Sequence, residues 1–142
     1  MEKLVLVVDD SSMARKQIIK VLDQMEIEHT QAKNGKEAYD ILVAWADDPS
    51  VPIKERCSLV LSDVEMPEMD GYTLTKRIKE HPVLGSLVVM LHSSLSGSFN
   101  ESMVQKVGAD DFLAKYDATE LAARVLAHLK VRQPSAETEQ AA

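Results

Sequence analysis

Whatever chemistry this 142-residue chain performs rests on the adjacent pair Asp9 and Asp10, together with Asp63, Ser93 and Lys115. The pair follows the apolar run Leu4 to Val8, and Asp63 follows Leu59 to Leu61. Ser93 comes after Leu87 to Leu91, and Lys115 after Phe112 to Ala114. Carboxylates brought close together repel and need either protonation or a cation. An all-oxygen ligand set with room for water suits Mg2+, whereas zinc draws on His or Cys. A cation beside a lysine is also the apparatus of phosphoryl transfer: the positive groups neutralise the equatorial oxygens while a carboxylate attacks in line. Asp63 is then the candidate nucleophile and an aspartyl phosphate the product. The Ser93 hydroxyl can donate a hydrogen bond to the new phosphoryl oxygens and so start a conformational switch.

For these residues to meet, the elements before them must bring them to one edge. Leu4 to Val8 is a continuous β-branched and Leu run, the pattern of a strand covered on both faces. Ser11 and Ser12 can cap a helix whose stripe is Ile18, Leu22 and Met25. Ile27 to Ala32 reads as a second strand. Asn34 with Glu37 reads as a cap and its partner, followed by a helix with Ala38, Ile41, Leu42 and Trp45 on one face. Residues Asp47 to Cys57, with Pro49 and Pro52, read as a polar surface excursion. Leu59 to Leu61 is strand three, Tyr72 to Glu80 a helix closed by Pro82, and Leu87 to Leu91 strand four. Phe99, Met103 and Val107 mark a helix ending at Gly108, and Phe112 to Ala114 is strand five. Asp117 and Glu120 form a capping pattern ahead of Leu121, Val125 and Leu129. A domain over residues 1–131 and a polar tail over 132–142 follow.

Five strands alternating with five helices predict an α/β fold, a doubly wound three-layer (βα)5 sandwich around a parallel five-stranded sheet. Two strand orders fit, the flavodoxin-like 2-1-3-4-5 and a Rossmann half. Both put ligands at the C-terminal edge of the strands, where the polar positions fall.

Composition removes several classes. Sixteen Lys+Arg against 23 Asp+Glu give a net charge of -7, the wrong sign for nucleic acid or an anionic membrane surface. Cys57 is the only cysteine, which rules out an intrachain disulfide or a Cys-rich zinc site and suits a reducing compartment. The first apolar run is too short for a signal peptide or a membrane span, so a cytoplasmic protein is expected. The five glycines form no phosphate-cradling turn.

Together the Asp9-Asp10 pair, the Asp63 to Gly71 segment Asp-Val-Glu-Met-Pro-Glu-Met-Asp-Gly, Ser93 and Lys115 stand in the order and spacing of a response-regulator receiver domain, which the chain resembles over roughly Lys3 to Lys130. The resemblance implies the CheY-like strand order 2-1-3-4-5. It also implies phosphorylation of Asp63 by a histidine kinase, with self-directed turnover rather than enzyme activity on an outside substrate. By the same carry-over Asp10 binds Mg2+ directly, Asp9 through water, and Glu65 through its backbone carbonyl. Ser93 and Lys115 would hold the phosphoryl group, and Ser93 and Phe112 would be the switch residues. The segments Leu91-His92-Ser93-Ser94-Leu95-Ser96-Gly97 and Lys106 to Lys115 are similar to the receiver half of CheV-type chemotaxis coupling proteins. That implies a CheA-like kinase as donor, with an N-terminal CheW-like domain or a chemoreceptor complex as further partners. Departures from the general receiver pattern are Tyr116 where proline usually follows the lysine, Ser94 where Ala or Gly is common, and Glu65 and Leu95 at variable positions flanking the pocket.

Each of these residues taken singly has a plainer reading. Aspartates cap helices, Ser93 fits a turn and Lys115 a solvated flank; only their coincidence at successive strand ends points to a site. Phe112 can simply fill the core. His29, His81, His92 and His128 are scattered without metal-ligand spacing and read as surface or satisfied core positions. Two other functions compete. A haloacid-dehalogenase-like phosphatase also pairs an Asp nucleophile with an acid two residues on, as in Asp63 and Glu65, but places it after the first strand. A pseudo-receiver would bind partners without phosphorylation.

Overall fold

The structure, a computed structural model, describes residues 4–93, 101–114 and 117–131. In chain order these form β1 (Leu4–Val8), α1 (Ser12–Gln24), β2 (Glu28–Ala32), α2 (Gly35–Ala46), α3 (Ile53–Arg56), β3 (Leu59–Asp63) and α4 (Gly71–Glu80). A 3-10 turn (Leu84–Ser86), β4 (Val89–Ser93), α5 (Glu101–Val107), β5 (Asp111–Ala114) and α6 (Ala118–Val131) complete it. All strand pairs are parallel and the order is β2-β1-β3-β4-β5. The flavodoxin-like order is therefore the one adopted, and the Rossmann half is not.

Alternation along the strands divides the core into two layers. Val5 and Val7 of β1, Leu59 and Leu61 of β3, Met90 of β4 and Leu113 of β5 pack with α1 and α6 through Ile18, Leu22, Leu121, Val125 and Leu129. Leu6, Val8, Val60, Val89 and Leu91 face the other way, onto α2, α4 and α5 through Leu42, Leu74, Ile78 and Val104. Each fully buried Leu or Ile contributes about 1.5–3 kcal/mol of apolar transfer, so both layers are needed to hold the sheet.

Helix starts follow local chemistry. Ser11 accepts from the Ala14 N–H (3.2 Å), Asn34 from Glu37 (2.8 Å), Asp70 from Thr73 (2.7 Å) and Asp117 from Glu120 (2.8 Å). The Glu37 carboxylate reaches back to the Lys33 N–H at 3.0 Å, one residue before the Asn34 cap, so Glu37 secures the entry to the helix rather than the N–H of the cap itself. Gly108, at φ 84, ends α5 in the left-handed region as expected.

Two boundaries differ from the sequence reading. The stretch from Asp47 to Cys57 is not wholly a surface excursion: it contains the one-turn helix α3, with Ile53 and Cys57 buried against the α2/α4 layer. Those two residues are four apart, the spacing of one helical turn, and the Arg56–Asp48 ion pair (2.6 Å) closes the loop. The helix count accordingly exceeds five. Strand four starts at Val89 rather than Leu87, because Leu87 is buried beyond the 3-10 turn and its carbonyl accepts from Lys79 Nζ at 2.7 Å. An apolar run reports burial, and here burial begins before pairing. Phe99 and the tail over 132–142 lie outside the described residues. Among the described residues no helix is long and apolar enough to cross a membrane.

Candidate functional site

The register of the sheet builds the site. Val7 pairs with Leu61 and Asp63 with His92, while His92 in turn is the partner of Leu113. Residues paired across parallel strands project to the same face. Above the apolar rung of Val7, Leu61 and Met90, the same side of the sheet therefore continues as Asp9, Asp63 and His92. These three offer donor atoms that all lie within 4.8 Å of one another.

Backbone contacts hold each member in place. The Asp9 N–H donates to the Ala32 carbonyl at 3.1 Å, and its Oδ1 accepts from the Ser11 N–H at 2.9 Å. Arg15 Nη1 binds the Asp9 carbonyl. Asp63 Oδ1 accepts from the Val64 N–H at 2.9 Å, and that side chain is half-buried. The Val64 N–H also points at the His92 carbonyl (3.1 Å), tying the end of β4 to the loop after β3. That loop returns through Gly71, whose N–H donates to Val64 O at 2.8 Å. A Cβ on Gly71 would stand 2.2 Å from the Asp63 carbonyl oxygen, so only glycine lets α4 begin this close to the strand.

The electrostatics match the crowding. Burial, then the charge of Asp9 and also that of Asp10, pushes the Asp63 carboxyl up to about 7, against the Val64 and Glu65 N–H groups that favour its ionised form. Asp9 is raised as well, mainly by burial and further by Asp10, with the Ser11 N–H and Arg15 opposing. His92 is fully buried, and that alone lowers it to about 4.

Of the residues singled out in the sequence, Asp9 and Asp63 are brought together. Asp10 is exposed and outside the three-donor group, yet near enough to raise both. Glu65 is exposed, with its N–H toward Asp63. Ser93 ends β4, buried and opposite Ala114. Phe112 is partly buried against the α2/α4/α5 layer, which suits core filling as well as a switch. Lys115, Tyr116, Ser94 and Leu95 lie outside the described residues. His92, one of four histidines scattered along the sequence, joins Asp9 and Asp63 only in the folded sheet. Its signal was two-residue alternation from Met90, which becomes informative only once β4 is registered against β3.

The response regulator receiver domain family matches residues 5–126. The chain belongs to that family. It is 34% identical over 111 residues to the chemotaxis protein CheV1 of Helicobacter pylori, a match covering 78% of this chain and 33% of CheV1. The receiver thus spans about a third of the length of that relative. It is 36% identical over 126 residues to the two-component response regulator ORR5 of Oryza sativa subsp. japonica, covering 86% and 87% of the two chains. Among solved structures, the signal receiver domain of a signal transduction histidine kinase from Syntrophus aciditrophicus superposes with a TM-score of 0.75 at 31% identity, covering 90% of each chain. The receiver is a two-component signalling module with a CheY-like fold.

Proposed function

We propose that this receiver accepts a phosphoryl group on Asp63 from a histidine kinase, with Mg2+ held at the same edge. The observation that carries the reading is the convergence of Asp9 and Asp63 at the C-terminal end of the central strands, where burial, and then the charge of Asp9, pushes Asp63 up to about 7. Two carboxylates and a third nearby form a set whose repulsion a hard divalent cation relieves. Asp10 would ligate it directly, Asp9 through water, and Asp63 and the Glu65 carbonyl would complete the protein's share. Bound there, Mg2+ supplies the positive charge that keeps Asp63 ionised and neutralises the phosphoryl oxygens.

The protein's own residues do the rest. The Val64 and Glu65 N–H groups fix the rotation of the Asp63 carboxylate that attacks phosphorus. As the new O–P bond forms, the P–N bond of the donor phosphohistidine breaks, and its imidazole, already protonated on the other nitrogen, leaves as the neutral ring. Ser93 at the end of β4 and Lys115 just beyond β5 would bind the transferred oxygens, and Phe112 would follow the movement of Ser93. Hydrolysis of the aspartyl phosphate by the same site makes turnover self-directed, so the module is a switch rather than an enzyme with an outside substrate.

The likeness to CheV1 supports a role in chemotaxis signal coupling or adaptation. A CheA-like kinase would be the donor and a CheW-like domain or chemoreceptor complex a partner, in the cytoplasm. The domain would comprise residues 1–131, followed by a polar tail. Acetyl phosphate with Mg2+ should label the protein, and Asp63→Asn or a chelator should abolish the label. Label that persists in Asp63→Asn overturns the assignment.

A further inference from the structure

The position of His92 asks for an apolar side chain. Two residues earlier on the same face is Met90, and Leu61 and Leu113 flank the rung. Histidine there places an imidazole nitrogen in a group with the Asp9 and Asp63 oxygens, all within 4.8 Å of one another. Three donors around one ion bound at about 2.1 Å stand about 3–3.6 Å apart, so an inward movement of up to about 1 Å per side chain closes the set on one cation. The strand end that carries the ring is itself anchored, since the His92 carbonyl accepts from Val64.

We infer that His92 is a metal-selectivity residue: it supplies a nitrogen ligand that shifts the preference of the Asp9/Asp63 site toward softer first-row cations such as Co2+ and Zn2+ relative to Mg2+. Carboxylate and water ligands suit Mg2+ and Mn2+, whereas imidazole adds affinity for the softer ions and little for Mg2+. The inference rests on the proposal that this edge is the cation site; it adds His92 to that site and turns the water-mediated contact of Asp9 into a direct one when a softer ion is bound. It predicts that the identity of the bound ion, and with it the rate of phosphoryl transfer, follows the availability of transition metals.

The test uses tag-free protein and Mn2+ as the probe. Water-proton relaxation measures Mn2+ binding and its displacement by Mg2+, and pulsed electron paramagnetic resonance reads the ligands. Nitrogen-14 modulation on the displaceable Mn2+, changing to the nitrogen-15 pattern when histidine is labelled, is the expected result. In His92→Leu the modulation should vanish, with Co2+ and Zn2+ affinity falling about tenfold or more and Mg2+ affinity changing less than about twofold. Displaceable Mn2+ without nitrogen modulation overturns the role of His92 and leaves the carboxylate site standing. Failure of the wild-type protein to bind any displaceable Mn2+ overturns both. The wild-type spectrum decides the matter even where the buried substitution impairs folding.

Discussion

Two aspartates on the same face of the sheet, one at each end, live under opposite electrostatics. Asp63 closes β3 among Asp9 and Asp10 and is driven up to about 7. Asp111 opens β5, where burial also opposes its charge. There Arg124 Nη1 lies 2.8 Å from Oδ1, His128 Nε2 lies 2.9 Å from Oδ2, and the Phe112 N–H donates at 2.8 Å; together they hold it below the usual carboxylate range. Its neighbour Asp110 is similarly engaged by Lys79 Nζ and the Val89 N–H, both at 2.8 Å. The N-terminal end of the sheet spends its acids on holding helices α4 and α6 to the strands. At the C-terminal end Asp9 and Asp63 crowd together instead, and relieving that crowding is what a bound cation would do.

The largest effect that would break this contrast is steric. Gly71→Ala should destabilise the protein by about 2–3 kcal/mol, since its methyl must displace the backbone at Asp63; urea denaturation measures it, and phosphoryl acceptance should fall in parallel. Next is the charge on Asp63 itself. Its folded-state pKa lies above the unfolded 3.8, so the native state binds more protons and stability falls as pH rises between about 4 and 7. In chelator, the wild-type protein should lose about 1–2 kcal/mol over that range, allowing for solvent screening of a half-buried group. Asp63→Asn should flatten the slope and be the more stable protein at pH 7.5, and Mg2+ should restore the wild type. A flat wild-type profile in chelator would erase the contrast. The smallest effect is at the other end. Asp111→Asn should cost about 1 kcal/mol at neutral pH. Because the folded pKa of Asp111 lies below 3.8, its contribution is present above that value and lost as pH falls through the folded pKa. The gap between variant and wild type should therefore narrow in acid urea titrations.

What could be read from the sequence was local or periodic. The caps at Ser11, Asn34 and Asp117 involve contacts three residues apart, and the continuous apolar runs of β1 and β3 placed Asp9 and Asp63 at the strand ends. What could not be read depends on pairing between distant segments. His92 acquires meaning only from its register with Asp63, 29 residues earlier in the chain. The Asp111 cluster needs α6 folded back onto β5. The helix α3 was hidden in a proline-containing polar stretch whose two apolar anchors are too few to give a periodic signal.

The pairing of Asp63 with His92 has one more consequence. Because successive strand residues face opposite ways, a slip of β4 by one position would turn the imidazole into the Leu6, Val60 and Leu91 layer and set a hydroxyl or an aliphatic chain beside Asp63. A chain assembled out of register would thus bury a polar ring among aliphatic side chains while the aspartates of β1 and β3 kept their places, so the imidazole beside Asp63 is itself a reporter of correct strand pairing.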